Sequence, residues 1–397
     1  VSRAIFDFNG QLIGWEQIGQ ELEGINSEML GYSISLSGDG TILAASAPGN
    51  DTQGITLGKV KVFRNINDNW IQIGEDIVSP NDNERFGHSI SISDNGQILA
   101  VGSVGNYGGI GGINGRVLVY ENINDNWIQL GGEILGSEPG DMFGFSVSLN
   151  NPGTILAVGA PFHDRFYNAT PWTNQQGEVK VFHLSNNNWT ELGNTIETVG
   201  SVNGHWNALF GYSVSLNNDG NILAIGNPDW RQYSNAGALQ TSAATGAVQI
   251  LEFSNNQWSQ IHQAISGEGA TCSATISHGE RLGFSVSING EGNIVGVGAP
   301  YYNLACTEVM RESGRTKVYE NDGSEWIQKG NDILGDATPN QNIGDKLTHS
   351  GYSVAINDAG SVIAVGENGY DTGSFLSPVE NAGRTRIFGI LQASAGS

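Results

Sequence analysis

Residues Phe143 to Pro161 read FGFSVSLNNPGTILAVGAP, and from its first glycine onward this pattern recurs in five other segments without insertion or deletion. The copies start at Gly31 (GYSISLSGDGTILAASAP), Gly87 (GHSISISDNGQILAVGSV), Gly144, Gly211 (GYSVSLNNDGNILAIGNP), Gly283 (GFSVSINGEGNIVGVGAP) and Gly351 (GYSVAINDAGSVIAVGEN), at spacings of 56, 57, 67, 72 and 68 residues. Periods of this size with no helical stripe between copies mark a solenoid or a propeller. Within each copy Ser alternates with aliphatic residues, a two-residue turn such as Asp219-Gly220 follows, and a second apolar run begins, which predicts a β-hairpin of strands A and B.

A third strand, C, starts at Gly58 (GKVKVF), Gly115 (GRVLVY), Gly177 (GEVKVF), Gly246 (GAVQIL), Gly314 (GRTKVY) and Gly383 (GRTRIF). Twelve residues after the first five of these glycines stands Trp70, Trp127, Trp189, Trp258 or Trp326, opening a fourth strand, D, as in WIQIGEDI. The tryptophans are read as wedges between repeats. The last C strand has no such tryptophan after it, whereas Trp15-Glu16-Gln17-Ile18-Gly19 near the N-terminus has the D pattern. The expected fold is therefore all-β: one β-propeller domain over residues 1–397, with four-stranded antiparallel blades, six in number, closed by N-terminal residues 1–22. Arg3 to Phe8 resembles a C strand and competes with Arg384 to Phe388, which leaves seven blades open.

The intervals within A-B and C-D are fixed, while the other two vary: A-glycine to C-glycine runs 27, 28, 33, 35, 31 and 32, and Trp to the next A-glycine runs 16, 17, 17, 22, 25 and 25. In an antiparallel meander the B-C and D-A connections lie at the same end of the strands. All the length variation is thus expected on one face.

Composition narrows the partners. The net charge of −23, from 40 acidic and 17 basic residues, opposes binding to a phosphate backbone or an anionic membrane surface. No apolar run approaches the roughly 20 residues of a membrane helix. The chain opens on Val1 with no charged-then-apolar leader, so a signal peptide was removed or never included. The 57 glycines, with many Asn, Ser and Thr, suit short strands and tight turns. Cys272 and Cys306 fall in long loops at one end of the fifth repeat, placed to form one disulfide or to remain two buried thiols.

The pairing of Phe143-Gly144 with Gly159-Ala160-Pro161, followed by Gly-x-Val-x-Val-Phe, resembles the FG-GAP repeat of integrin α-subunit propellers and of many secreted bacterial and algal proteins. The resemblance spans nearly the whole chain and implies a ligand-binding or adhesion propeller at the cell surface. Many such repeats carry a calcium loop in the A-B turn. Here that turn is cut to Asn217-Asn218-Asp219-Gly220 or its equivalent, short of the six or more oxygens calcium takes, so structural calcium is not carried over and no cofactor or metal is expected. The Asp and Asn of these turns are read instead as serving positive-φ backbone.

Candidate ligand-binding residues cluster in the variable loops: His163, Arg165, Tyr167 and Trp172 in the third B-C loop, His205 and Trp206 before the fourth repeat, Trp230, Arg231 and Tyr233 in the fourth, Tyr301, Tyr302 and Arg311 in the fifth, and Tyr370 in the sixth. Aromatic rings beside Arg, Asp and Asn suit sugar stacking and protein recognition alike. The expected function is an extracellular or cell-surface module binding a glycan or a protein, alone or as part of a larger surface protein. One alternative is a carbohydrate-active enzyme on an anionic polysaccharide, with Arg165, Arg231 and Arg311 clamping the substrate and His163, Tyr167 or Tyr302 as acid or base. Another is a structural spacer in an adhesin.

Overall fold

The computed structural model describes all residues except 1, 7–11, 25–27, 50–57, 82–83, 106–113, 164–175, 198–207, 232–243, 269–278, 303–312, 336–347, 370–371, 375–376, 380–383 and 391–397. Six antiparallel sheets form a six-bladed β-propeller, and among the described residues every regular element is a strand. Blade 3 shows the plan: A (Ser146–Leu149), B (Ile155–Ala160), C (Glu178–Ser185) and D (Asn188–Glu191) follow one another across the sheet. Alternation places one row of each strand toward a neighbouring blade. The cores therefore lie between blades: Ile42, Val60 and Val62 of blade 1 share a cluster with Ile90 and Ile92 of blade 2.

Innermost A strands have one edge without a sheet partner, which leaves buried backbone groups to satisfy. The repeated serines do this. Ser35 Oγ accepts the Ile92 N–H at 3.0 Å, and the same bond joins Leu149 to Ser91, Leu216 to Ser148, Ile288 to Ser215 and Ile356 to Ser287. The preceding serine donates to the neighbouring strand's first glycine, as from Ser146 to the Gly211 carbonyl at 2.8 Å.

The A-B connection is longer than the expected two-residue turn. It runs Asn217 to Gly220, with Gly220 N–H bonded to the Asn217 carbonyl, and Ser or Asn first and Gly fourth in every blade, the signature of a type I turn. Its side-chain oxygens are used internally: Asn217 Oδ1 accepts the N–H groups of Asn221 and Ile222 at 3.0 and 2.9 Å. The Asp and Asn of these turns do not take positive φ, which falls on their fourth-position glycine, as on Gly220 at 75°, and on both central residues of the C-D turns, such as Asn67 and Asp68 at 52° and 61°. Backbone bonds run from turn to turn, Gly38 to Asp94, Asp94 to Asn151, Asn151 to Asn218, Asn218 to Gly290 and Gly290 to Asp358, so all A-B turns share one end.

The D strand is broken. In blade 1 Asn69–Gln72 and Ile77–Val78 both pair with the C strand, with Gly74 at φ 76° between them. The break turns the Ile73 carbonyl outward to accept the Trp127 indole N–H of the next blade at 3.3 Å. Trp189 and Trp258 do the same to Leu130 and Leu192 at 3.1 and 3.0 Å, which makes them the wedges expected. In blade 4 the glycine is replaced by His262 at φ 57°, and the facing Trp326 Nε1 has no hydrogen-bond partner.

Closure follows the same logic at the outer rim. Trp70 donates to the Ile18 carbonyl at 2.9 Å, so the N-terminal strand Leu12–Gln17 holds the outer-strand position ahead of blade 1. It pairs with Ser2–Phe6, while Arg384–Gly389 pairs with the B strand Val362–Glu367. Of the two C-like segments it is thus Ser2–Phe6 that pairs with the N-terminal D-like strand, in a separate two-stranded sheet, while among the described strands Arg384–Gly389 pairs only with its B strand. At this seam the inner stitch is missing in the sequence itself: Ala355 stands where five blades have Ser. Ile34 and Leu36 are correspondingly 63% and 43% exposed, against 6% and 7% for Ile90 and Ile92.

Substituting Ser148→Ala strands the Leu216 N–H and is expected to cost about 1–3 kcal/mol by urea denaturation. A change within about 0.5 kcal/mol, typical of a surface substitution, would show that the hydroxyl does not carry this junction.

Candidate functional site

Each A strand is entered through the same turn. The aromatic N–H bonds to the carbonyl three residues back, as from Phe145 to Met142 at 3.0 Å, with Gly144 between them at φ 88°. A side chain there is excluded, since a Cβ on Gly144 would lie 2.8 Å from the Arg116 carbonyl oxygen. The residue ahead of the turn is also left-handed, although bulky: Met29, Arg85, Met142, Leu209, Arg281 and His349 have φ from 51° to 59°. Such backbone is uncommon for large side chains and persists only where the surroundings fix it.

This entry turn aims one ring per blade at the axis. Tyr32, His88, Phe145, Tyr212, Phe284 and Tyr352 form a collar that runs from blade 1 round to blade 6, with successive centroids 5.4, 4.7, 4.7, 4.8 and 5.0 Å apart and planes tilted by 45–49°. Burial raises the Tyr32 and Tyr212 hydroxyls above the ordinary phenol range, and the charge of Tyr352 raises both further. His88 is pushed down to about 4 by burial and by Arg85, and its Nδ1 lies 3.4 Å from the Tyr32 hydroxyl. Near neutral pH the collar thus presents protonated phenols and a neutral imidazole. Reading the sequence for unusual loop residues passes over these six, although each directly follows a repeat glycine.

The variable loops meet the collar at the same end. Phe162 packs edge-on against Phe145 at 6.2 Å, Tyr301 against Phe284 at 5.8 Å, and Arg281, bonded to Asp229 at 2.9 Å, lies over the Tyr301 ring. The described residues that directly follow Pro161, Pro228 and Pro300 are therefore on one face, as the spacings require. A groove of about 640 Å³ lined by His262, Tyr319, Ser324 and Trp326 opens beside a C-D turn, away from that face.

The other candidates separate. Tyr302 stacks on Arg315 at 3.9 Å, and that guanidinium is itself buried against Glu280 and Asp332 at 2.7 and 2.8 Å, so Tyr302 packs a buried ion network. Arg231 is exposed and Trp230 half-buried. His163 Nδ1 lies 2.8 Å from Asp141 Oδ2, and its Nε2 is 3.8 Å from Glu178 Oε2. Burial lowers the His163 pKa, but the Asp141 hydrogen bond and the charges of Glu178 and Asp141 outweigh it, and the net shift is upward. Arg165, Tyr167, Trp172, His205, Trp206, Tyr233, Arg311, Tyr370, Cys272 and Cys306 lie outside the described residues.

The fold and the ringed mouth define a β-propeller with an axial aromatic site. No protein-family model matches the chain, and comparison with curated proteins gives no match. Among solved structures it is similar to the periplasmic gluconolactonase of Pseudomonas aeruginosa, at 14% identity and TM-score 0.50 over 97% of this chain and 94% of that one. It is also similar to a GH74 enzyme of Niastella koreensis (13% identity, TM-score 0.48, 90% and 44% of the two chains) and to the Dos1 propeller (10%, 0.47, 91% and 70%). At such identities the likeness is one of fold. Among the described residues no helix is long and apolar enough to cross a membrane.

The depressed His88 pKa has a definite sign. The folded state keeps the ring neutral down to about pH 4, whereas the unfolded chain takes a proton below 6.5, so stability falls as pH drops from 6.5 toward 4. His88→Phe, which places there the residue found at 145 and 284, is expected to flatten that limb in melting temperature against pH. Parallel curves for the two proteins would contradict the burial of His88.

Proposed function

We propose that this chain is a binding propeller, working outside the cell, that takes a glycan at the axial mouth of its variable face. The observation that carries this reading is the collar. Sugar rings offer apolar C–H faces that pack on aromatic side chains, and sugar hydroxyls pair with groups that both donate and accept, as protonated phenols do. Tyr32 and Tyr352 are 48% and 42% exposed, so two of the rings are open to a ligand. The FG-GAP resemblance, which rests on motifs alone, supports the same class. A cell-surface adhesion role belongs to this proposal, with the propeller as the recognition head.

The enzymatic alternative calls for a group that exchanges protons near neutral pH at the mouth. Within the collar the raised phenols and the depressed His88 are instead held in one protonation state, which favours binding there, and His163, next to Phe162, is the described group that the enzymatic alternative would use.

A glycan array covering neutral and anionic sugars, followed by calorimetry on the best hit, tests this. Tyr32→Ala and Tyr352→Ala are expected to weaken binding at least roughly tenfold, about 1.4 kcal/mol each, with Tyr→Phe at either position weakening it less. A blank array, or a hit whose affinity both alanine variants leave unchanged, would overturn the proposal.

A further inference from the structure

Three blades set an acid–base pair under the entry turn in a common pattern, and blade 3 departs from it. The residue ahead of the left-handed position is Glu28, Glu84, Asp141, Ala208, Glu280 or Thr348, and the residue after the glycine that opens the C repeat is Lys59, Arg116, Glu178, Ala247, Arg315 or Arg384. In blades 1, 2 and 5 the two pair as acid and base: Glu28 with Lys59, Glu84 with Arg116, and Glu280 with Arg315 at 2.7 Å. In blade 6 Arg384 turns to the buried Glu367. Blade 3 alone puts a carboxylate, Glu178, in the cation's place.

Asp141 and Glu178 are 5% and 4% exposed, and His163 reaches between them from the start of the B-C loop. Lys180 is the nearby cation: its Nζ is 3.2 Å from Glu178 Oε1 but donates to Ser137 Oγ at 2.9 Å, and Oε1 has no hydrogen-bond partner. Two buried carboxylates served by one divided ammonium and a single shared imidazole are short of fixed positive charge, which is costly in a low-dielectric interior.

We propose that Asp141, His163 and Glu178 hold a divalent metal ion in the position that a guanidinium or ammonium fills in the other blades. One ligand atom from each lies within 4.8 Å of the others. Atoms bound to one zinc ion at about 2.0–2.2 Å are at most roughly 4 Å apart, so the site closes by drawing the three groups together and turning the imidazole, whose Nδ1 faces Asp141 and whose Nε2 faces Glu178 in the metal-free arrangement. One imidazole nitrogen with two carboxylate oxygens favours a borderline ion of the Zn²⁺ type over Ca²⁺ or Mg²⁺, which prefer oxygen alone. Three protein ligands leave a position for water or a ligand atom. Phe162, next to His163, packs on collar residue Phe145, so the ion also braces the mouth. The site stands on its own ligands, independent of the glycan proposal.

The test uses untagged full chain stripped with chelator and titrated with Zn²⁺ by calorimetry, with Ca²⁺ in parallel. Wild type is expected to bind a single Zn²⁺ with a chelator-reversible rise in melting temperature. His163→Gln is expected to weaken binding at least roughly tenfold. Glu178→Arg, which supplies the cation of blades 2 and 5, is expected to abolish binding and keep the metal-free melting temperature at or above wild type. No saturable Zn²⁺ in wild type, preference for Ca²⁺, or equal Zn²⁺ affinity in Glu178→Arg would each overturn the site. Should a variant fail to fold, the reversible zinc-induced rise in wild type still decides.

Discussion

The bond from an A-strand N–H to the serine hydroxyl of the neighbouring A strand is the interaction on which the wheel depends. Inter-blade apolar contacts supply the bulk of the burial, but apolar packing is non-directional and fixes neither spacing nor rotation of adjacent sheets. A hydroxyl that must meet a particular N–H at about 3 Å does. Its net gain is modest, but an orphaned buried N–H is expensive, so the bond acts mainly by penalising every other arrangement of the two blades. Through it the six entry turns, and hence the six rings at the axis, acquire a common radius.

The seam between blades 6 and 1 lacks that serine, and its construction differs accordingly. Ala355 offers no acceptor, Ile34 and Leu36 stay exposed, and at the rim the N-terminal segment is fastened to blade 1, where Trp70 bonds to Ile18 and the Gln20 side chain accepts the Trp70 N–H. The same indole-to-carbonyl device serves other outer junctions, which explains why a glycine must break the D strand there: only backbone turned out of the ladder has a carbonyl free to accept. Where His262 replaces that glycine, the Trp326 indole is left without a partner.

Much of this was legible in the chain because the signals are local and repeated. Strand order, the hairpin intervals, the single variable face and the tryptophan wedges all come from counting residues. The internal geometry of the turns was not legible: Asn217 and its equivalents look like residues chosen for left-handed backbone, yet they act by accepting N–H groups, and Asn67-Asp68 takes the positive φ instead. The site was half visible. Attention to unusual residues drew the eye to long loops and to Tyr302, which proves to lie against Arg315, and away from the plain column of Tyr32, His88, Phe145, Tyr212, Phe284 and Tyr352. A ring that recurs at one position reads as core until the position is known to face an axis.

The Asp141–His163–Glu178 cluster was hidden for a different reason. Its members are far apart in sequence and match no spacing rule for metal ligands. The readable trace is a broken column: Lys59, Arg116, Arg315 and Arg384 against Glu178. Repeat proteins allow this comparison within one chain, since each blade is a control for the others under nearly the same backbone. A charge reversed in one blade alone, at a position almost fully buried, cannot be a matter of surface composition, because its desolvation cost would be met in every folded molecule. It asks for a compensating cation, and His163, at the start of the blade's own B-C loop, is the group that helps to hold one there.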